Sequence, residues 1–164
     1  MKKPETNLKA EVDPIEFART IALNALASRA KSRHELEIQL AKRGVADETI
    51  KLVLDRLTDV GLIDDRGFAL AWSQSRQRAK GLSRRVLSQE LTAKGIDRAT
   101  ADEVLDGISP DDEYEAALAI AKKKARSVTN LPRDVQVRRI FDLLARKGFS
   151  SSISAQIIKE VLVE

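Results

Sequence analysis

At 164 residues, with 43% apolar, 33% charged and 4% aromatic side chains, the chain can bury one ordinary core or extend as a row of small units that share one. It has no cysteine, which excludes disulfides, thiolate metal sites and cysteine nucleophiles and fits a reducing cytoplasm. The formal charge is only +4, so the placement of charge matters more than its total, and a supply of Ala, Leu, Lys, Arg, Glu and Gln favours helix over strand.

Residues 1–12 are polar and aperiodic, as expected of a flexible tail. The longest apolar runs are a few residues, so neither a signal peptide nor a membrane span is expected, and the protein should be soluble and cytoplasmic. Asp13-Pro14-Ile15-Glu16 reads as a helix start, with an acceptor at the N-cap, proline where no N–H is needed and Glu16 placed to reach back. That helix should run to about Ser28. Ser32-Arg33-His34-Glu35 repeats the capping logic and opens a second helix, with Leu36 and Leu40 on one face and Gly44 as its stop. Asp47 is expected to cap a third helix, whose Ile50, Val53, Leu54 and Leu57 have the spacing of a core-facing stripe before Gly61.

The pattern then recurs. Leu40-Ala41-Lys42-Arg43-Gly44-Val45 becomes Leu91-Thr92-Ala93-Lys94-Gly95-Ile96 and then Leu144-Ala145-Arg146-Lys147-Gly148-Phe149, at offsets of 51 and 53 residues. Apolar residues follow each glycine at the same three positions: Val53, Leu54, Leu57; Val104, Leu105, Ile108; Ile157, Ile158, Val161. Leu36, Leu87 and Ile140 precede the glycines at one common spacing. In the second copy a helix should start near Asp64 or Asp65, end at Lys80 before Gly81, and be followed by a helix capped by Ser83. In the third, Ser109-Pro110 opens a helix, and the loop 127–132 should absorb the two extra residues. The fold class that follows is all-α, an elongated tandem array of three three-helix repeats over residues 13–61, 62–108 and 109–164.

Catalytic groupings are sparse. The single histidine, His34, sits beside Glu35 on a polar face and reads as a solvated side chain, with no second positioned group for acid–base or triad chemistry. The pairs Asp64/Asp65 and Asp111/Asp112 precede helices, where carboxylates satisfy free N–H groups and oppose the helix dipole. Tyr114 shares a stripe with Ala117, Leu118 and Ala121 and reads as packing. The glycines are isolated terminators and form no phosphate loop. No catalytic residue, metal ligand or cofactor is expected, and the protein should not be an enzyme.

Charge is more informative. From Trp72 to Gly95 stand Arg76, Arg78, Lys80, Arg84, Arg85 and Lys94 against Glu90 alone. From Ala121 to Gly148 nine basic residues, among them Lys122, Lys123, Lys124, Arg138, Arg139 and Lys147, face only Asp134 and Asp142; between the two segments, residues 97–115 hold eight acids and one base. Stacked repeats would align these bases as a stripe with the third helices on an acidic side, and a basic stripe gathers polyanions. The twelve basic residues named from these two segments are the candidate filament or nucleic-acid contacts. A helix-turn-helix reading is disfavoured because the would-be recognition helices, 48–57 and 99–108, are acidic or balanced. Phe68 and Trp72, one turn apart, could stack on bases but read chiefly as packing.

Gly61-Leu62-Ile63-Asp64-Asp65 followed by Phe68-Ala69, by Lys80-Gly81, and by Glu90-Leu91 with Lys94-Gly95-Ile96 resembles the RecX family of bacterial regulators of the RecA recombinase. The resemblance extends from about Ala18 to the C-terminus; Gly67 in the first turn of its helix is a departure, and the third repeat matches mostly at Leu144 to Gly148. It implies a monomeric, elongated helical rod in the groove of the RecA–DNA filament, usually an inhibitor, that limits filament growth, strand exchange and co-protease action in DNA repair, homologous recombination and the SOS response. It offers no catalytic set to carry over, and it leaves open direct contact with single-stranded DNA. The alternative is a general single-stranded DNA- or RNA-binding repeat protein that competes for the strand.

Overall fold

A computed structural model describes residues 12–163, and every regular element among them is helical. In chain order these are α1 (Pro14–Ser28), α2 (Arg33–Lys42), α3 (Asp47–Asp59), α4 (Asp65–Lys80), α5 (Arg84–Ala93), α6 (Arg98–Asp106), α7 (Pro110–Ser127), α8 (Arg133–Lys147) and α9 (Ser151–Val161). The tail expected over 1–12 lies outside the described residues except for its last position. The helices pack as three consecutive bundles of three, and the chain divides after Asp64 into two units, one holding α1–α3 and the other α4–α9.

The repeat in the sequence is the repeat of the cores. Leu36, Leu87 and Ile140 are each fully buried, as are Leu40, Leu91 and Leu144 one turn later. These six apolar side chains anchor the second helix of each bundle. On the third helices Val53, Leu54 and Leu57, then Val104 and Leu105, then Ile157 and Ile158 are buried, with Val161 and, just beyond α6, Ile108 half-buried at the rims. Each bundle encloses its own cluster, so each repeat has a core of its own.

Most starts follow the capping residues. Asp13 accepts the Ile15 N–H at 3.0 Å, Ser83 caps α5 through Val86, and Ser32 with Glu35, like Ser109 with Asp112, forms a reciprocal capping box. Two expectations fail. Glu16 does not reach back to the N-cap but pairs with Arg19 at 3.0 Å. Asp47 is not the N-cap of α3: Ala46 holds that position with extended backbone and no side-chain bond, and Asp47 is the first helical residue.

The turns after α2, α5 and α8 are built alike. Val45, Ile96 and Phe149 donate their N–H to Leu40, Leu91 and Leu144 at 3.2, 3.0 and 3.1 Å, and the glycine before each of them has φ of +77°, +73° or +96°. This left-handed closure explains the glycine at all three positions. In the third repeat the α7–α8 linker, residues 128–132, is two residues longer than that from α4 to α5, as expected. The helices change length as well: α8 has 15 residues against 10 in α5, and α6 has 9 against 13 in α3.

Repeats two and three meet at close range. The Ser83 N–H donates to the Lys147 carbonyl at 3.0 Å. A Cβ on Gly148 would collide with Ser83 Oγ and Val86 Cγ2, and one on Gly81 would collide with the Ile120 side chain. Two of the turn glycines are therefore also spacers between bundles.

Candidate functional site

The end of α4, the latter half of α7 and the end of α8 converge on a groove of 510 Å³. Its sides carry Arg78, Lys80, Lys123, Lys124 and Lys147, and its floor is apolar, with Ala119, Ile120 and Leu143. The spacer glycines position these groups: contact of Gly81 with Ile120, and the bond from Ser83 to Lys147, bring the last turn of α4 against α7 and α8. None of the five basic side chains lies within ion-pairing distance of a carboxylate among the described residues. Five cations around one depression, of which Lys80 also acts on the Glu90 carboxylate, make a local positive potential that favours a polyanion.

The other sequence candidates divide into two sets. Arg76 and Lys94 belong to a cluster built on Trp72. Phe68 stacks on the indole with ring centroids 5.8 Å apart, the Lys94 ammonium lies 4.6 Å from its centroid and the Arg76 guanidinium 5.4 Å. Glu90 Oε2 accepts the indole N–H at 2.9 Å and Arg76 Nε at 2.7 Å, and a second Arg76 nitrogen bonds Oε1. The Arg76 guanidinium, aided by the indole N–H, holds the Glu90 carboxyl below its ordinary value despite partial burial; the same bond raises Arg76. Arg84 pairs with Asp106 and donates its backbone N–H to Glu113 at 3.1 Å, and Arg85 Nε reaches the Gly148 carbonyl at 3.4 Å. These two arginines join repeats two and three.

Lys122, Arg138 and Arg139 are exposed and do not line the groove. From the sequence, Glu90 and Gly81 are motif positions and Gly81 and Gly148 are turns, and none of the three is a candidate site residue. The signal for Glu90 lies in spacing: Trp72 and Arg76 are four residues apart on α4, and Glu90 on α5 is four residues before Lys94 at that helix's C-cap, so both pairs face across. Tyr114 packs at the edge of the third core, and its hydroxyl donates to Glu160 at 2.8 Å, which holds the phenol above its ordinary value. His34 is 45% exposed and lies 3.5 Å from Glu37 on the same helix. Among the described residues no group of His, Asp or Glu side chains is placed to hold a metal, and no helix is long and apolar enough to cross a membrane.

Family models for the first, second and third three-helix domains of RecX match residues 18–57, 64–105 and 111–158 in turn. The chain belongs to the RecX family. It is 38% identical over 152 residues to the regulatory protein RecX of Streptomyces coelicolor, spanning 93% of this chain and 81% of that one. It is 42% identical over 144 residues to the Mycobacterium avium protein of the same name, spanning 87% and 83%. The crystal structure of RecX from Lactobacillus salivarius superposes with a TM-score of 0.81 at 26% identity, covering 91% of this chain and 97% of that one. A second RecX crystal structure gives 0.77 at 25% identity, covering 88% and 71%. Membership in a family of regulatory proteins built from three tandem three-helix domains is thereby established, and Gly67 and the diverged third repeat are variations within it.

Proposed function

We propose that this chain is a non-enzymatic regulator of RecA that binds the RecA–DNA filament and restrains its growth, and with it strand exchange and co-protease activity. The observation that carries the reading is the groove of repeats two and three, where five basic side chains gather with no carboxylate at ion-pairing distance among the described residues, on a scaffold whose relatives are regulatory proteins. Arg78, Lys80, Lys123, Lys124 and Lys147 supply its charge toward the filament, with Lys122, Arg138 and Arg139 adding long-range attraction. Arg76, Lys94, Arg84 and Arg85 act by holding that surface in shape. The regulator works in the cytoplasm as a monomer, in DNA repair, homologous recombination and the SOS response.

Binding titrations against bare and RecA-coated single strands test this. Tighter binding to the coated strand, together with slowed RecA ATPase, is the expected result. Equal affinity for the two would replace it with the second reading, a general single-strand binder acting by competition, which the uniform sign of the groove also suits.

A further inference from the structure

The floor of the cationic groove is aliphatic, which its charge alone does not explain. Ala116, Ala119, Ile120, Lys123, Lys124 and Ser127 recur three and four residues apart, so one face of α7 runs along the groove for roughly 16 Å. A second stripe of that helix, Ala117, Leu118 and Ala121, is buried in the third core. The groove face is aliphatic in its first half and mainly cationic in its second, and Leu143 of α8 adds to the aliphatic part. Ala119 is exposed and Ile120 and Leu143 are half-buried, which leaves apolar surface open between the basic side chains. Among the described residues neither a carboxylate nor an aromatic ring lines the groove; Phe68 and Trp72 stack on each other elsewhere on α4.

We infer that this groove receives an acidic segment of a partner protein, whose aliphatic side chains lie on Ala119, Ile120 and Leu143 and whose carboxylates meet the surrounding lysines. On the reading of the groove as the filament-facing surface, on which this rests, it takes hold of the protein of the filament rather than of the strand. Bases of a single strand gain their hold by stacking on aromatic rings, and the groove offers none. Phosphates and sugars laid on an aliphatic floor would lose water there and gain no partner, whereas an aliphatic side chain gains by leaving water. A segment with both acids and aliphatic residues uses the whole groove, and an amphipathic helix with apolar residues three and four apart presents them in that arrangement. Lysine stems can lie against such a stripe while their ammonium groups reach the acids beside it. The volume of 510 Å³ falls within the roughly 300–1,000 Å³ of ligand sites.

The test titrates the full chain at fixed salt with three labelled probes: a glutamate peptide with leucine at every third or fourth position, the same peptide with serine in place of leucine, and a short thymidine strand. Wild type should bind the leucine peptide about tenfold more tightly than the serine peptide, since each buried methylene adds to the transfer free energy. Ala119→Gln combined with Leu143→Gln should abolish that preference with the helical signal unchanged, and Lys123→Glu should weaken binding of both peptides. Should the double variant unfold, Ala119→Gln alone, at an exposed position of α7, should narrow the preference. Equal binding of the two peptides by wild type would overturn the inference, and the groove would survive as a charged surface if Lys123→Glu weakened both. Tighter binding of the thymidine strand than of the leucine peptide, lost in the double variant, would overturn it in favour of a nucleic acid. If neither peptide binds, the inference is also wrong, and RecA ATPase inhibition measured in parallel decides the regulatory reading separately.

Discussion

At the scale of single residues, Glu90 determines what the basic segment around it can do. It engages both the Arg76 guanidinium and the Trp72 indole, so two of the cations counted from composition lie against one aromatic ring. Glu90→Gln removes the charge that orders Arg76 and should lower unfolding free energy by about 1–3 kcal/mol, the range for hydrogen bonds to charged groups. The emission of Trp72, the sole tryptophan, should change with it. The carboxyl titrates lower in the folded protein than its ordinary value of 4.5, so its contribution is fully present above that value and is lost as pH falls through the depressed one. Stability of wild type should therefore decline more steeply below about pH 4.5 than that of Glu90→Gln, as denaturant titrations at stepped pH would show. The basic residues here were legible in the sequence. Their pairing was not, because it depends on which faces of α4 and α5 meet.

At the scale of elements, the glycine turns show how much the repeat reveals and where it stops. Equivalent turns follow Leu40, Leu91 and Leu144, but their surroundings differ. A Cβ on Gly44 meets open space, whereas one on Gly148 meets Ser83 and Val86 of the neighbouring repeat. Gly44→Ala should cost about 1–2 kcal/mol, the left-handed backbone alone, and Gly148→Ala about 2–5 kcal/mol once overpacking is added. Thermal unfolding of the two variants separates the terms. The spacer role was invisible because a turn glycine and a spacer glycine are the same letter, and only the packing of repeat two on repeat three tells them apart. The N-cap of α3 was legible and misread. Asp97 and Ser150 stand two residues after their glycines and cap α6 and α9, so the repeat register points to Ala46, while residue type alone pointed to Asp47. Ala46→Asp should complete the missing cap and stabilise its bundle by about 1 kcal/mol, read from the denaturant midpoint.

For the whole molecule, the fold class and the three-repeat order were legible because each bundle repeats one apolar pattern around a fixed glycine. The groove was legible only as a count of charge. Twelve basic residues were candidates, and packing divides them into five that line one depression, two drawn to Trp72, two that join repeats and three exposed elsewhere. On the proposed function, the five act together on the RecA-coated strand. The most direct measurement compares wild type with Lys80→Glu/Lys123→Glu/Lys147→Glu and with Arg138→Glu/Arg139→Glu for binding to RecA-coated single-stranded DNA at fixed salt. Reversal in the groove should weaken binding by about a hundredfold or more, since three favourable contacts become repulsive, and reversal at Arg138 and Arg139 by less than about tenfold. Equal losses in the two variants, or full binding by the groove variant, would mean that the groove is not the binding surface.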